Sequence, residues 1–146
     1  MSKSFSATIE DWARETEQRM TAIFRESTQR MIGIATDYIS GDLVKVQTGF
    51  LRASVRVSLS EMPEIDPSAE PAEGQRYGVN AGQVSVQIAS AQAGDTIYAG
   101  YTAAYAGFVH DGTSKMAGRP WVDMAAVQWQ TVVNGVQQDL KARLRV

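Results

Sequence analysis

The chain has 146 residues, with 16 acidic side chains against 14 basic ones, a single histidine and no cysteine. That length suits one domain, and such a chain buries roughly 68–70% of the surface its unfolded form exposes, so a core forms without covalent staples. The missing cysteines exclude a disulfide framework and thiolate metal sites, His110 alone leaves no imidazole set for zinc, and a net charge of −2 gives no general attraction for nucleic acid. No metal or cofactor is therefore expected. No stretch approaches about 18 uncharged apolar residues, and the N-terminus lacks a signal-peptide core, which predicts synthesis and retention in the cytoplasm without membrane contact.

From Ser6 to about Ser40, Ile9, Trp12, Ala13, Met20, Ile23, Phe24, Met31, Ile34, Ala35, Tyr38 and Ile39 recur at three- and four-residue spacing among charged residues. This predicts one long amphipathic helix with Ser6 or Thr8 as N-cap, Glu10 and Asp11 in its first turn and Gly41 as its stop. At 1.5 Å per residue it would be about 50 Å long, more than a domain of this size covers, so part of its stripe is expected against another subunit.

Past 42–47, the segment 48–54 leads into Val55 to Ser60, whose alternation predicts a half-buried strand. Glu61 to Gln75 holds three prolines and five acidic residues with no base, which reads as a solvated loop insertion that folding can do without. Val84 to Ile88 alternates again, Gly94 and Asp95 suggest a turn, and Thr96 to Tyr101 reads as a third strand of an antiparallel sheet.

Tyr105 to Val109 is short and apolar, and a brief helix is the preferred reading. A loop from Gly112 to Arg119 follows, then Pro120 as the first residue of a helix running to the C-terminus. Its stripe is Trp121, Val122, Ala125, Ala126, Trp129, Val132, Val133, Val136, Leu140 and Leu144, with Lys141, Arg143 and Arg145 in the last turns. The expectation is a single α+β domain over 1–146, in which long N- and C-terminal helices pack on a small antiparallel sheet.

Chemistry is sparse. His110 beside Asp111, with Ser114 or Ser54, is the one nucleophile-and-base candidate, and no GxSxG, HExxH, Walker or GxGxxG motif accompanies it. Asp37 with Asp42, and Glu61 with Glu64, read as solvated charge. Trp12, Trp121 and Trp129 sit on helical stripes, as core or contact anchors do. No catalytic, cofactor-binding or metal-binding residue is expected.

Three segments in order do carry a signal: Thr48-Gly49-Phe50-Leu51-Arg52-Ala53-Ser54, then Tyr105-Ala106-Gly107-Phe108-Val109-His110-Asp111-Gly112-Thr113, then Gly118-Arg119-Pro120-Trp121-Val122. Across about residues 40–145 the chain resembles the tail-component family of lambdoid and related siphophages, whose members read T-G-x-L-R-x-S, Y-A-x-x-V-E-x-G-T and R-P-F before a last long helix. His110 stands where that pattern has an acidic residue, and Trp121 where it has Phe.

The resemblance implies a non-enzymatic structural subunit of the virion neck, for tail completion, termination or head closure. It would assemble with itself as a ring, by expectation of six copies, contact adjacent neck and tail proteins, and let packaged DNA pass without sequence recognition. Localisation would be the virion, after synthesis in the host cytoplasm. Gly49, Leu51, Arg52, Tyr105, Gly112, Thr113, Arg119, Pro120 and Trp121 are the implied structural and interface residues. Gly49 would permit a turn, Arg52 would offer a planar fork to a carboxylate, and the Gly112 to Pro120 loop would lead into the last helix. Two other readings stay open: a homo-oligomeric binding or scaffold module outside a virion, and a small hydrolase using His110.

Overall fold

The computed structural model describes residues 4–42 and 48–144. Helix α1 spans Phe5–Asp37 and is capped by Ser4, two residues before the nearer expected cap, Ser6, so Glu10 and Asp11 lie beyond its first turn; the Ser4 hydroxyl accepts the Ala7 N–H at 3.2 Å. Thr8 instead donates its hydroxyl back to the Ser4 carbonyl. The helix ends in an irregular turn, Tyr38–Asp42, where Gly41 takes a φ of 125°. Such a value suits glycine and supports its reading as the stop.

A four-residue helix, α2 (Phe50–Ala53), precedes strand β1 (Val55–Ser58). Val55 and Val57 are buried while Arg56 and Ser58 are half-buried, the alternation the sequence predicts. The strand stops two residues short of Ser60, because the Ser58 hydroxyl accepts the Ser60 and Glu61 N–H groups and turns the chain. Strand β2 (Tyr98–Tyr101) pairs antiparallel with β1, Val55 opposite Tyr101 and Ser58 opposite Tyr98.

The strand expected at Val84 to Ile88 is a helix, α3 (Ala81–Ala89), capped by the Asn80 side chain. Positions 84 and 88 satisfy period two and period four alike; Val86 decides, and it lies 67% exposed while Val84 and Ile88 are buried. The third-strand position is filled another way. The Gln83 side-chain amide accepts the Val57 N–H and donates to the Val57 carbonyl, pairing with the free edge of β1 as a neighbouring strand would.

The acidic insertion is a mostly exposed loop without helix or strand, as its composition predicts, and it is tethered to the segment after β2. The Asp66 N–H donates to the Thr102 carbonyl and the Ala104 N–H to the Ala69 carbonyl. Pro63 and Met62 lie against Gly100, and Ile65 against Gly107.

Helix α4 (Ala106–Asp111) matches the brief helix expected after Tyr105. The following loop contains a small antiparallel hairpin, β3 (Gly112–Thr113) with β4 (Met116–Ala117). Pro120 caps α5 (Trp121–Ala126) from just outside it, its carbonyl accepting the Met124 N–H. The expected single C-terminal helix is two: the chain turns at Val127 and Gln128 before α6 (Trp129–Leu144). Val127 is 83% exposed, and Gln128 ties the turn down by donating to the Tyr38 hydroxyl at 2.6 Å. Arg145 lies outside the described residues.

Helix α6 runs antiparallel along α1, fixed by Arg30 on Asp139 at 2.7 Å. The loop after α3 is pinned to α1 as well, by the Arg25 Nε–H on the Ala91 carbonyl and the Ala93 N–H on the Thr21 hydroxyl. One apolar cluster gathers Ala35, Ile39, Leu51, Ala103, Ala106, Trp121 and Ala125. A second joins Ile32, Val55, Val57, Val84 and Ile88, and Tyr101 packs on both. The architecture is α+β, with long terminal helices against a small antiparallel sheet. Among the described residues no helix is long and apolar enough to cross a membrane.

Candidate functional site

Leu51, Tyr105 and Trp121, one from each motif segment, converge on the first core cluster although they span 70 residues of sequence. Phe50 stacks edge-on to Tyr77 at 5.0 Å and lies 6.3 Å from the Tyr105 ring, so α2 and the start of α4 share one aromatic patch. Trp121 is 1% exposed, held between Tyr101 at 5.4 Å and His110 at 5.2 Å, both edge-to-face. Its indole N–H is buried and has no hydrogen bond of good geometry.

Two glycine positions are dictated by close backbone. Gly49 has a φ of 81°, and a Cβ there would collide with the Tyr77 carbonyl and crowd the Arg52 guanidinium. Gly112, with a φ of 87°, crosses Gly118 so tightly that a Cβ on Gly112 would lie 2.5 Å from the Gly118 nitrogen. This crossing, together with the Arg119 N–H on the Val109 carbonyl at 2.8 Å, holds the hairpin on α4 and aims the chain into α5. Gly118 was quoted in the motif, yet only the backbone crossing reveals its job. Thr113 is exposed, its hydroxyl accepting the Lys115 N–H, and Arg119 is exposed too.

Arg52 meets no carboxylate of its own chain: no ion pair to it occurs among the described residues, and its buried Nε–H has no hydrogen-bond partner there. The side chain is half-buried, its Nε and one terminal nitrogen lying beside Gly49.

The adjacent residues His110 and Asp111 do face each other, Nδ1 to Oδ1 at 2.8 Å. The other ring nitrogen is buried without a hydrogen bond, 3.9 Å from an Asp123 carboxylate oxygen. Neither serine weighed with it completes a nucleophilic pair. Ser54 is buried and donates to the Leu51 carbonyl at 2.6 Å, and Ser114 is exposed at the hairpin tip.

Burial pushes the Tyr101 hydroxyl up to about 12, against the opposing pull of the Thr36 hydroxyl and the Trp121 indole. The two hydroxyls of Tyr101 and Thr36 are hydrogen-bonded at 2.9 Å. Burial also raises Tyr105, while the Ser68 hydroxyl and N–H hold Asp66 below the usual carboxylate range.

Two further features lie away from the motifs. Residues 6–20 of α1 include no buried side chain, and Ile9, Trp12 and Met20 are 49%, 66% and 56% exposed. The foreseen overlong helix is thus an arm reaching past the domain. Beside its base, α1, β2, α5 and α6 enclose an apolar groove of about 660 Å³. No periodicity pointed to it, because it arises from elements distant in sequence. No family model matches this chain, and none of the curated proteins or solved structures is significantly similar to it.

Proposed function

We propose that this protein is a non-enzymatic structural subunit of a tailed-phage virion neck, of the tail-completion type, acting in a ring of its own copies between head and tail. The observation that best supports this reading is the α1 arm, which carries Trp12 at 66% exposure on a stretch, residues 6–20, with no buried side chain. With Ile9 and Met20, also exposed on the same arm, it contributes apolar surface of the kind that a subunit contact covers. The motif segments add support, since their residues are spent on packing and close backbone crossings, and these shape a scaffold without arranging reacting groups. Arg52, half-buried and without an ion pair among the described residues, offers the accessible part of its guanidinium to a carboxylate on a neighbouring chain.

Within the neck, completion is favoured over termination. The exposed hairpin from Gly112 to Arg119 is a rigidly anchored loop of the sort that meets a second, different ring. A nonsense mutation in the gene, read by electron microscopy, tests the reading. The expected particles are filled heads beside unattached tails of normal length; overlong tails would move the assignment to termination, and normal infectious particles would remove it.

A further inference from the structure

The single histidine lies between two carboxylates that belong to different helices. His110, on α4, places Nδ1 2.8 Å from the Asp111 carboxylate and Nε2 3.9 Å from that of Asp123, which stands in the first turn of α5. Its ring is only 18% exposed and packs edge-to-face with Trp121, whereas the Asp111 and Asp123 side chains are 79% and 77% exposed. These distances fix the tautomer. A proton on Nε2 would set the Nδ1 lone pair against a carboxylate oxygen at 2.8 Å, so the neutral ring carries its proton on Nδ1 and donates it to Asp111. Nε2 is then a buried acceptor without a donor, facing a second carboxylate. A second proton inverts that arrangement: Nε2–H becomes a donor aimed at Asp123, whose exposed side chain closes the remaining gap of about 1 Å by its own rotation. No other charge lines this hollow. Met62, Pro63 and Ile65 of the insertion and Gly100 of β2 bring none, and the Tyr101 hydroxyl, pushed up to about 12 by burial, stays neutral. On the hairpin, the Arg119 guanidinium lies against the Met116 sulfur at 4.0 Å, and Lys115 is exposed at the tip.

His110 and Asp123 also bracket the exposed hairpin. The chain leaves α4 one residue after His110, forms β3 and β4, and enters α5 two residues before Asp123. We propose that His110 is an acid-actuated clasp: on gaining its second proton it bridges Asp111 and Asp123, draws the start of α5 onto the end of α4, and tightens the base of the hairpin between them. Imidazole is the side chain that ordinarily changes charge between pH 5 and 8, a range outside which carboxyl and phenol groups ordinarily titrate. The bond to Asp123 exists only in the protonated ring, so its contribution is present at acid pH and lost as pH rises. The clasp belongs to one domain and does not depend on the neck reading.

The test compares the full-length protein with Asp123→Asn, a change at an exposed position that keeps the shape and removes the charge. Urea unfolding of both proteins at pH 5.5 and pH 8.5 gives four folding equilibrium constants. The variant should fall behind the parent by a factor about threefold larger at pH 5.5 than at pH 8.5, the size expected of an ion pair whose carboxylate is exposed. Any loss at the α5 N-terminus is common to both pH values and cancels in that ratio. Because the chain has one histidine, its ring nitrogens are unambiguous in ¹⁵N NMR. The neutral ring should carry its proton on Nδ1, and the hairpin amides from Thr113 to Gly118 should shift with the ring's titration in the parent and shift less in Asp123→Asn. A ratio indistinguishable from one, a neutral ring protonated on Nε2, or hairpin amides that ignore the titration would each overturn the clasp. The neck reading turns on virion content and would stand in each of those cases.

Discussion

Trp121 is the residue on which the three motif segments converge, so its replacement measures how much the domain depends on that convergence. Trp121→Ala removes a fully buried ring packed between Tyr101 and His110. Losses of this type cost about 3–5 kcal/mol, a third or more of the stability of an ordinary domain. Trp121→Phe should behave very differently. The smaller ring leaves on the order of 40 Å³ empty, which at about 24 cal/mol per Å³ costs about 1 kcal/mol. The same change deletes an indole N–H that faces the Tyr101 hydroxyl without a well-formed hydrogen bond, so little hydrogen bonding is lost with it. Trp121→Phe should therefore lie about 1 kcal/mol below the parent, in keeping with the Phe at this place in the resembled pattern. Urea denaturation followed by circular dichroism reads both values, with unchanged m-values expected. A Phe variant as unstable as the Ala variant would show that the indole N–H is bonded after all, and an Ala variant losing under about 1 kcal/mol would refute the packing node itself.

Further outcomes follow from the same geometry. Tyr101 titrates near 12 in the fold against about 10 when unfolded, so its contribution is intact below pH 10 and drains away as pH rises from there toward 12, by up to about 1.4 kcal/mol per unit. Tyr101→Phe should flatten that alkaline decline in urea titrations, and an unchanged slope would contradict the burial of the hydroxyl. Gly112→Ala should cost about 2 kcal/mol or more, because it combines a positive φ with a 2.5 Å backbone collision; a melting temperature within a degree of the parent would refute the crossing. Replacing Glu61 to Gln75 by a short Gly-Ser bridge should lower the melting temperature by about 5–10 °C, since two backbone hydrogen bonds and the contacts of Met62, Pro63 and Ile65 are lost. A shift of a degree or less would restore the view of this segment as a free loop.

The terminal helices, β1 and β2 were legible from their apolar spacing, with Pro120 and Gly41 as punctuation, whereas the spacing of α4 suits a helical turn and a strand alike. Val84, Val86 and Ile88 misled because alternation over five residues also places the outer two one helical turn apart; tertiary contact with β1 chose the helix. The division of the C-terminal helix at Val127 left no trace in sequence, since neither glycine nor proline marks it, and the hydrogen bond between Gln128 and Tyr38 that secures it spans 90 residues. In the insertion only the tethers escaped the sequence. Its prolines and acids describe a solvated chain correctly, and its tethers use backbone groups of Asp66, Ala69, Thr102 and Ala104, which composition does not encode. Of the site, the motif residues were legible as a set, but the groove was not, because it belongs to no single segment.

The central claim is that the chain is a stoichiometric part of a virion. Quantitative mass spectrometry of gradient-purified particles, with this protein counted against the major tail-tube protein, tests it most directly. The account predicts a fixed small copy number consistent with one ring per particle, unchanged by high-salt washing; particles that are fully infectious and free of this chain would contradict it.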